Sequence, residues 1–417
     1  MILGFVTVVF LVVAGVHLYL WKRLVRDTLR PGPWRKAGGL LVLSLAMLIP
    51  ATLILTRTGY VRWLAWPGYI WLALMFYLLV TLAVLEVPRL VVRMVWRANR
   101  PTRAEVAHRE TTAAASVGVR TKTLDTDGGD RPGDSADDSA GIDRRLLLAR
   151  GAAIFAGLTA ASVTGYGVRT ALGGPRLDRV QIPIAKLPRA MDGTRLAVVS
   201  DIHLGPLTGP DHMRRIVSMI NSTDADVVCV VGDLVDGSVE ELGPGAAALR
   251  DVRARQGAYF VTGNHEYYSG FQQWVDEVAR LGIRPLRNER LEIATRGGVF
   301  DLAGVNDLNG TGFGDGPDLA RALGDRDTSR PIVLMAHQPI VAHDAAPYGV
   351  DLQVSGHTHG GQMVPFNYVV GLAQPVVSGY GRVDGVPVYV TNGAGFWGPP
   401  VRVGVPPQVT LVELRTP

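Results

Sequence analysis

Five short groups of polar residues, in chain order, have the side chains and spacing to do chemistry. They are Asp201-Ile202-His203, Gly232-Asp233-Leu234-Val235-Asp236, Gly263-Asn264-His265-Glu266, the lone His337, and Gly356-His357-Thr358-His359. Imidazole nitrogens, carboxylates and an amide oxygen together suit borderline divalent cations such as zinc, manganese or iron rather than calcium. In Asp201-x-His203 and His357-x-His359 both side chains share one face of an extended strand end, because alternate residues point the same way. Gly232, Gly263 and Gly356 let the backbone turn sharply beside a ligand. Two such cations, held roughly 3.5–4 Å apart, repel each other, so an anionic ligand shared between them is expected. Five of the nine histidines fall in these groups, which leaves His17, His108, His212 and His343 as bystanders.

Each group closes a β-rich run. Leu196 to Ser200, Val227 to Val231, Tyr259 to Thr262, Ile332 to Ala336 and Leu352 to Ser355 read as buried strands that run straight into the five groups. Val299 to Gly304 and Val388 to Thr391 read as further strands, and Asp211 to Asn221, Glu240 to Val252 and Phe271 to Leu281 as amphipathic helices between them. Strands crossed by helices make an α/β domain over 173–417, and ligands of such domains bind beyond the C-terminal strand ends. Five polar strand ends therefore point to one pocket at one edge of the sheet.

In this order the five groups resemble the motifs of the calcineurin-like metallophosphoesterases, over about Thr194 to Leu414. The resemblance implies a two-sheet sandwich flanked by helices and a hydrolase of phosphate esters that uses two divalent metal ions, manganese, zinc or iron. By motif position, Asp201, His203 and His359 hold the first metal, Asn264, His337 and His357 the second, and Asp233 bridges them. A hydroxide between the metals is the implied nucleophile. His265 matches the family's catalytic histidine, which protonates the leaving group or stabilises the phosphoryl oxygens. The alternative for His265 is a third metal ligand or a structural histidine, and catalysis is favoured because Asn264 beside it already fills the ligand slot. Gly360-Gly361-Gln362 and Asn392-Gly393-Ala394-Gly395 are similar to the membrane-attached or twin-arginine-exported branch. Gln408 stands where members often carry Glu.

Other polar residues have two readings each. Asp236 and Glu266 either orient a ligand histidine or cap a helix. Asp307 lines the pocket or makes a turn, and Arg402 meets substrate phosphate or solvent. Phe366, Tyr368, Phe396 and Trp397 form a lipid- or base-facing wall or pack a loop.

The first part of the chain has a different character. Met1 to Trp21, Ala37 to Thr56 and Leu64 to Leu85 carry no charge, and each is close to the roughly 20 residues that cross a bilayer as a helix. The first of them lacks the basic start of a cleaved signal peptide. Lys22, Arg23, Arg26, Arg30, Arg35 and Lys36 follow the first span, and Arg89, Arg93, Arg97, Arg100 and Arg103 follow the third; only Arg57 and Arg62 follow the second. Positive flanks favour the cytoplasmic side, so the N-terminus lies outside. These flanks also account for the net charge of +5. No basic patch interleaved with aromatics appears in the second half, so nucleic-acid binding beyond a nucleotide substrate is not expected.

Residues 99–143 have almost no large apolar side chain and read as a flexible linker. The segment 144–172 opens on Arg144-Arg145 and continues into an uncharged Ala/Gly-rich run from Gly151 to Val168. It is a fourth membrane helix or resembles a twin-arginine export signal. Either way the domain after it faces outward. The expected protein is thus a multi-pass cell-membrane phosphodiesterase or phosphomonoesterase with an extracytoplasmic catalytic domain, acting on a phosphorylated small molecule, lipid or envelope polymer. The alternatives are a pyrophosphohydrolase of nucleotide-linked lipids, and a non-catalytic metal-binding sensor or scaffold. The single cysteine, Cys229, permits no intramolecular disulfide.

Overall fold

The computed structural model describes residues 2–56, 61–98, 135–295 and 297–417. They form two compact units, one of 1–48 with 74–161 and one of 49–73 with 162–417. Among the described residues four long helices supply the first part: α1 (Ile2–Leu20), α2 (Pro33–Leu55), α3 (Ala65–Ala98) and α4 (Ser135–Leu172). Among the described residues, three helical stretches are long and apolar enough to cross a membrane: Pro33–Leu55, Arg62–Val91 and Leu146–Leu172. Within the first unit the acidic Glu86 of α3 is matched by Arg23 at 2.5 Å, and Arg150 donates to the Thr28 carbonyl at 3.0 Å. Pairing of this kind is what an ionic group among apolar helices requires. α4 begins at Ser135, inside the segment expected as linker; residues 99–134 of that segment lie outside the described residues.

Among its described residues the second unit contains twelve strands in two six-stranded sheets. The first sheet has the order β1-β12-β2-β3-β4-β5, from Arg176–Pro183, Gln408–Arg415, Thr194–Val199, Val227–Val231, Ala258–Val261 and Arg284–Pro285. The second has the order β10-β11-β9-β8-β7-β6, from Gly379–Val383, Val386–Val390, Leu352–Ser355, Ile332–Met335, Gly298–Gly304 and Glu289–Thr295. In the first sheet β2, β3, β4 and β5 run parallel, and in the second β7, β8, β9 and β11 do. Alternation along each strand builds three apolar layers. Leu196 and Val198 of β2 face the layer between the sheets with Cys229, Phe300, Val333 and Val354. Ala197 and Val199 face outward, under the helices Pro210–Ser222 and Phe271–Arg280, with Ile216 and Trp274. Leu334 and Val388 of the second sheet face its own outer helices with Leu323 and Ala342. Covering both faces is why Val227-Val228-Cys229-Val230-Val231 is apolar throughout rather than alternating.

This is the mixed α/β two-sheet fold that was expected, with differences at the margins. β1, β5, β6, β10 and β12 were not anticipated. β1, β6 and β10 are outer strands with mixed polar composition, and β12 enters antiparallel beside β2 from the far end of the chain. The helix expected over 240–252 is an α-helix only to Ala246 and a 3-10 turn from Ala247.

Candidate metal centre

The parallel strands β2, β3, β4, β8 and β9 all deliver their C-terminal ends to the same edge, and the site is built there. Ser200 Oγ donates to the Val231 carbonyl at 2.7 Å, and the Asp201 and His203 amides donate to the carbonyls of Gly232 and Asp233. The loops after β2 and β3 are therefore laced together. Asp201, His203, Asp233, His357 and His359 all have left-handed φ, between 47° and 72°. For residues with a Cβ this costs on the order of 1–3 kcal/mol each and persists only where the surroundings over-determine it.

Two contacts show how tightly they are determined. Gly232 has φ 76°, and a Cβ there would lie 2.6 Å from the Gly263 nitrogen and 2.7 Å from His337 Nδ1. Glu266 is fully buried and accepts from the backbone nitrogens of Gly263, Asp233 and Leu234 at 2.6, 2.9 and 2.7 Å. It clamps the loop after β4 to the loop after β3. Burial and the neighbouring Asp233 charge push its pKa up to about 7.

The eight residues named from the motifs are brought together. Asp233 Oδ2 stands 3.2 Å from His337 Nε2, 3.8 Å from His203 Nε2 and 4.0 Å from His265 Nε2. His359 Nε2 is 3.4 Å from Asp201 Oδ1 and 3.0 Å from His203 Nε2, and His357 Nδ1 is 2.9 Å from Asn264 Oδ1. Among the described residues three sets of side chains present donor atoms within 4.8 Å of one another: Asp201 with His203 and His359, Asp233 with His337 and His357, and His203 with Asp236 and His265.

The donor atoms call for a cation. His337 Nδ1 lies 2.7 Å from the Val231 carbonyl, which can only accept, so Nδ1 carries a proton. A neutral His337 then turns the Nε2 lone pair toward the Asp233 carboxylate. Nε2 is buried without an aligned hydrogen bond. Two acceptors 3.2 Å apart are stable only with a proton or a metal between them. Without a metal the proton takes that place: burial alone would lower the His337 pKa, but Asp233 holds it well above the ordinary histidine value. Burial alone would raise the Asp233 pKa, and the His337 charge holds it well below the carboxylate range. Asp201 is pushed up by burial. His357 is pushed down to about 3 by burial and the His337 charge, and His359 is pushed well down by burial and Arg402.

Asp236 and His265 complete the floor. Asp236 Oδ1 is 2.9 Å from His203 Nδ1 and 2.6 Å from His265 Nδ1, so it accepts from both rings. Burial opposes the charged form of His265, but the Asp236 bond and the Asp233 charge prevail and hold its pKa at about 9. Its ring meets His203, Tyr268 and Trp397 edge-on, with centroids at 4.6, 5.6 and 6.3 Å. Of the two readings for Asp236, the structure selects orientation; Ser238 is the helix cap instead. Asp307 caps the 3-10 turn of Leu308–Phe313 and also accepts from Gln338, beside His337.

Arg402 overturns both of its expected roles. It is fully buried and donates to the carbonyls of His359, Asn392 and Gly395, with its Nη2 3.0 Å from His359 Nδ1. That contact makes Nε2 the donor of a neutral His359, toward the Nε2 lone pair of His203. The signal for a buried role was the flanking Val401 and Val403. Gln408 is buried too, and accepts from the Asn392 side chain at 2.9 Å. Phe396 is buried, whereas Phe366, Tyr368 and Trp397 are exposed.

Comparison with known proteins agrees with this geometry. The calcineurin-like phosphoesterase family model matches residues 194–361. A "Transmembrane protein with metallophosphoesterase domain" of Danio rerio is 38% identical over 260 residues, 60% of this chain and 60% of that protein. An uncharacterized metallophosphoesterase of Helicobacter pylori strain J99 is 34% identical over 259 residues, covering 61% of this chain and 68% of the relative. One of Aquifex aeolicus is 33% identical over 247 residues, covering 58% of this chain and 92% of the relative. The chain spans about three fifths of the length of the vertebrate relatives it matches.

Proposed function

Because this chain belongs to the calcineurin-like metallophosphoesterases, we propose that it is a membrane-tethered hydrolase of phosphate esters with two divalent ions in its catalytic domain. Asp201, His203 and His359 would hold one ion, and Asn264, His337 and His357 the other. Asp233 would serve both, and this is the observation that carries the reading: its Oδ2 stands within 4.0 Å of imidazole nitrogens from three different strand ends. When bound, the ions (manganese, zinc or iron) supply Lewis acidity to an attacking water and to the phosphoryl oxygens.

The chain's own residues supply position and protons. Asp236 fixes Nδ1–H of both His203 and His265, which turns Nε2 of His203 toward Asp233 and leaves Nε2 of His265 facing the same carboxylate at 4.0 Å. Among the five motif histidines, His265 is the one whose set of converging donor atoms includes neither Asp201 nor Asp233. It is therefore placed to hand its Nε2 proton to the leaving oxygen of a phosphate ester seated above Asp233. Tyr268 and Trp397 flank that ring.

Membrane tethering rests on the uncharged α1, on the three stretches of α2, α3 and α4 long and apolar enough to cross a membrane, and on the basic residues that flank them. Arg144 and Arg145 precede the apolar part of α4, so this helix is a fourth crossing or a signal of twin-arginine type. Both put the catalytic domain on the outer face.

The test is hydrolysis of bis-p-nitrophenyl phosphate by the purified full chain loaded with manganese, together with its metal content. Wild type should turn over, and His265→Ala should lose about 10²–10⁴ in kcat while keeping its manganese. Absence of wild-type turnover with manganese, zinc and iron, or full activity in His265→Ala, would overturn the reading.

A further inference from the structure

The floor formed by His203, Asp236 and His265 opens into a cavity of about 470 Å³. Part of its wall is the expected set of strand-end loops, with Tyr268, Phe396 and Trp397. Another part comes from outside the α/β fold: Thr56, Arg62 and Tyr69, on and beside the connection between α2 and α3. These residues belong to the same compact unit as the catalytic fold. Gly68 sits so close to Thr52 that a Cβ would strike its hydroxyl, and Gly398, next to Trp397, packs within 3.5 Å of the Tyr69 ring when given a Cβ. The start of α3 is thus packed against α2 on one side and against Gly398 on the other.

Arg62 Nη2 donates to Glu241 Oε1 at 2.9 Å, and both side chains are partly exposed, at 46% and 38%. Among the described lining residues Arg62 is the one guanidinium or ammonium; Asp236 and Glu241 are acids. A guanidinium fork matches phosphate oxygens in a way a single carboxylate partner does not exhaust. An exposed pair such as Arg62–Glu241 is worth only about 0–1 kcal/mol, so exchanging Glu241 for phosphate costs little. Trp63 and Trp66, one and four residues on, are exposed at 70% and 42%. Tryptophans at the ends of apolar helices mark the bilayer interface. The guanidinium of the cavity and the interfacial anchors thus share one short segment.

We propose that Arg62 is a phosphate-binding residue of this site, and that the substrate is a phosphate ester on a membrane lipid headgroup, taken up at the interface beside Trp63 and Trp66. The proposal rests on the phosphoesterase reading above and adds the substrate class to it.

The full chain in phosphatidylcholine nanodiscs, loaded with manganese, gives two independent readouts. The first is calorimetric titration with inorganic phosphate, which needs no turnover. Arg62→Ala should bind phosphate at least tenfold more weakly and Arg62→Lys should recover part of the loss, both with unchanged manganese content. Equal affinity in wild type and Arg62→Ala, or loss of manganese along with phosphate, overturns the Arg62 assignment. The second compares phosphatidic acid and phosphatidylglycerol in the discs with glycerol 3-phosphate and glycerophosphoglycerol in solution. A lipid should exceed its water-soluble counterpart at least tenfold in kcat/KM, with the Arg62→Ala defect falling on KM. Equal use of both forms, or no use of either lipid by an enzyme that turns over bis-p-nitrophenyl phosphate, overturns the lipid assignment. If bis-p-nitrophenyl phosphate is also inert while the phosphate titration still separates Arg62→Ala from wild type, the hydrolase reading fails and Arg62 stands.

Discussion

At the scale of single residues, the Asp236 carboxylate accepts from His203 Nδ1 at 2.9 Å and from His265 Nδ1 at 2.6 Å, so it sets the tautomer of a proposed ligand and a proposed proton donor together. Burial would raise its pKa, yet the two rings hold it below the ordinary carboxylate range. Asn in its place keeps the shape but loses the charge and can accept in full from only one ring. Asp236→Asn should weaken manganese binding about 10- to 100-fold, the usual cost of losing a partner behind a ligand histidine. Manganese titration of the purified full chain checks this, and unaltered affinity would show that Asp236 does not position His203. The spacing Gly-Asp-x-x-Asp made Asp236 visible as a candidate, but left it open between histidine partner and helix cap. Only the folded loop decides, because Ser238 turns out to supply the cap. Arg402 teaches the reverse: read by type it belonged with phosphate or water, and it serves three carbonyls in the interior.

At the scale of elements, the helix Pro210–Ser222 illustrates what an apolar face does to a polar passenger. His212 lies on its buried face beside Met213, Ile216, Val217 and Ile220, and its Nε2 has no partner. Burial, and then the Arg215 charge, push its pKa down to about 4. An unfolded histidine titrates near 6.5, so between these values the unfolded chain binds the extra proton and stability falls as pH falls. The contribution is fully present above pH 6.5 and amounts to about 3 kcal/mol lost by pH 4. Urea unfolding of metal-free full chain, wild type against His212→Gln, should show a shallower decline for the variant between pH 6.5 and 4. Parallel curves would mean that His212 titrates normally. The strands were legible where both faces are covered, since β2, β3, β8 and β9 are continuous apolar runs. Outer strands such as β6 and β10 were not, because one-sided burial leaves them a polar composition close to that of loops.

At the scale of the whole molecule, the apolar helices and the α/β fold have to be read as one chain. Thr56, Arg62 and Tyr69 share a compact unit and a cavity wall with His203 and His265, although at least 134 residues separate them in sequence. On the proposed topology the basic flanks would put that cavity on the outer side. A fusion of alkaline phosphatase after Pro417 should be active, and a green fluorescent protein in the same place dark when exported unfolded. Activity of a cytoplasmic reporter alone would overturn the orientation. The sequence by itself determined the candidate ligand set, the apolar stretches and the class of fold, because these depend on residue type and local spacing: strand periodicity, strand ends that carry donors, and runs of uncharged residues. Tertiary structure alone decided which residues stand behind the ligands and what closes the pocket. Asp236 under two rings, Glu266 across two loops, Arg402 under His359 and Arg62 at the mouth all act through contacts between distant segments, and distance in sequence carries no record of distance in space.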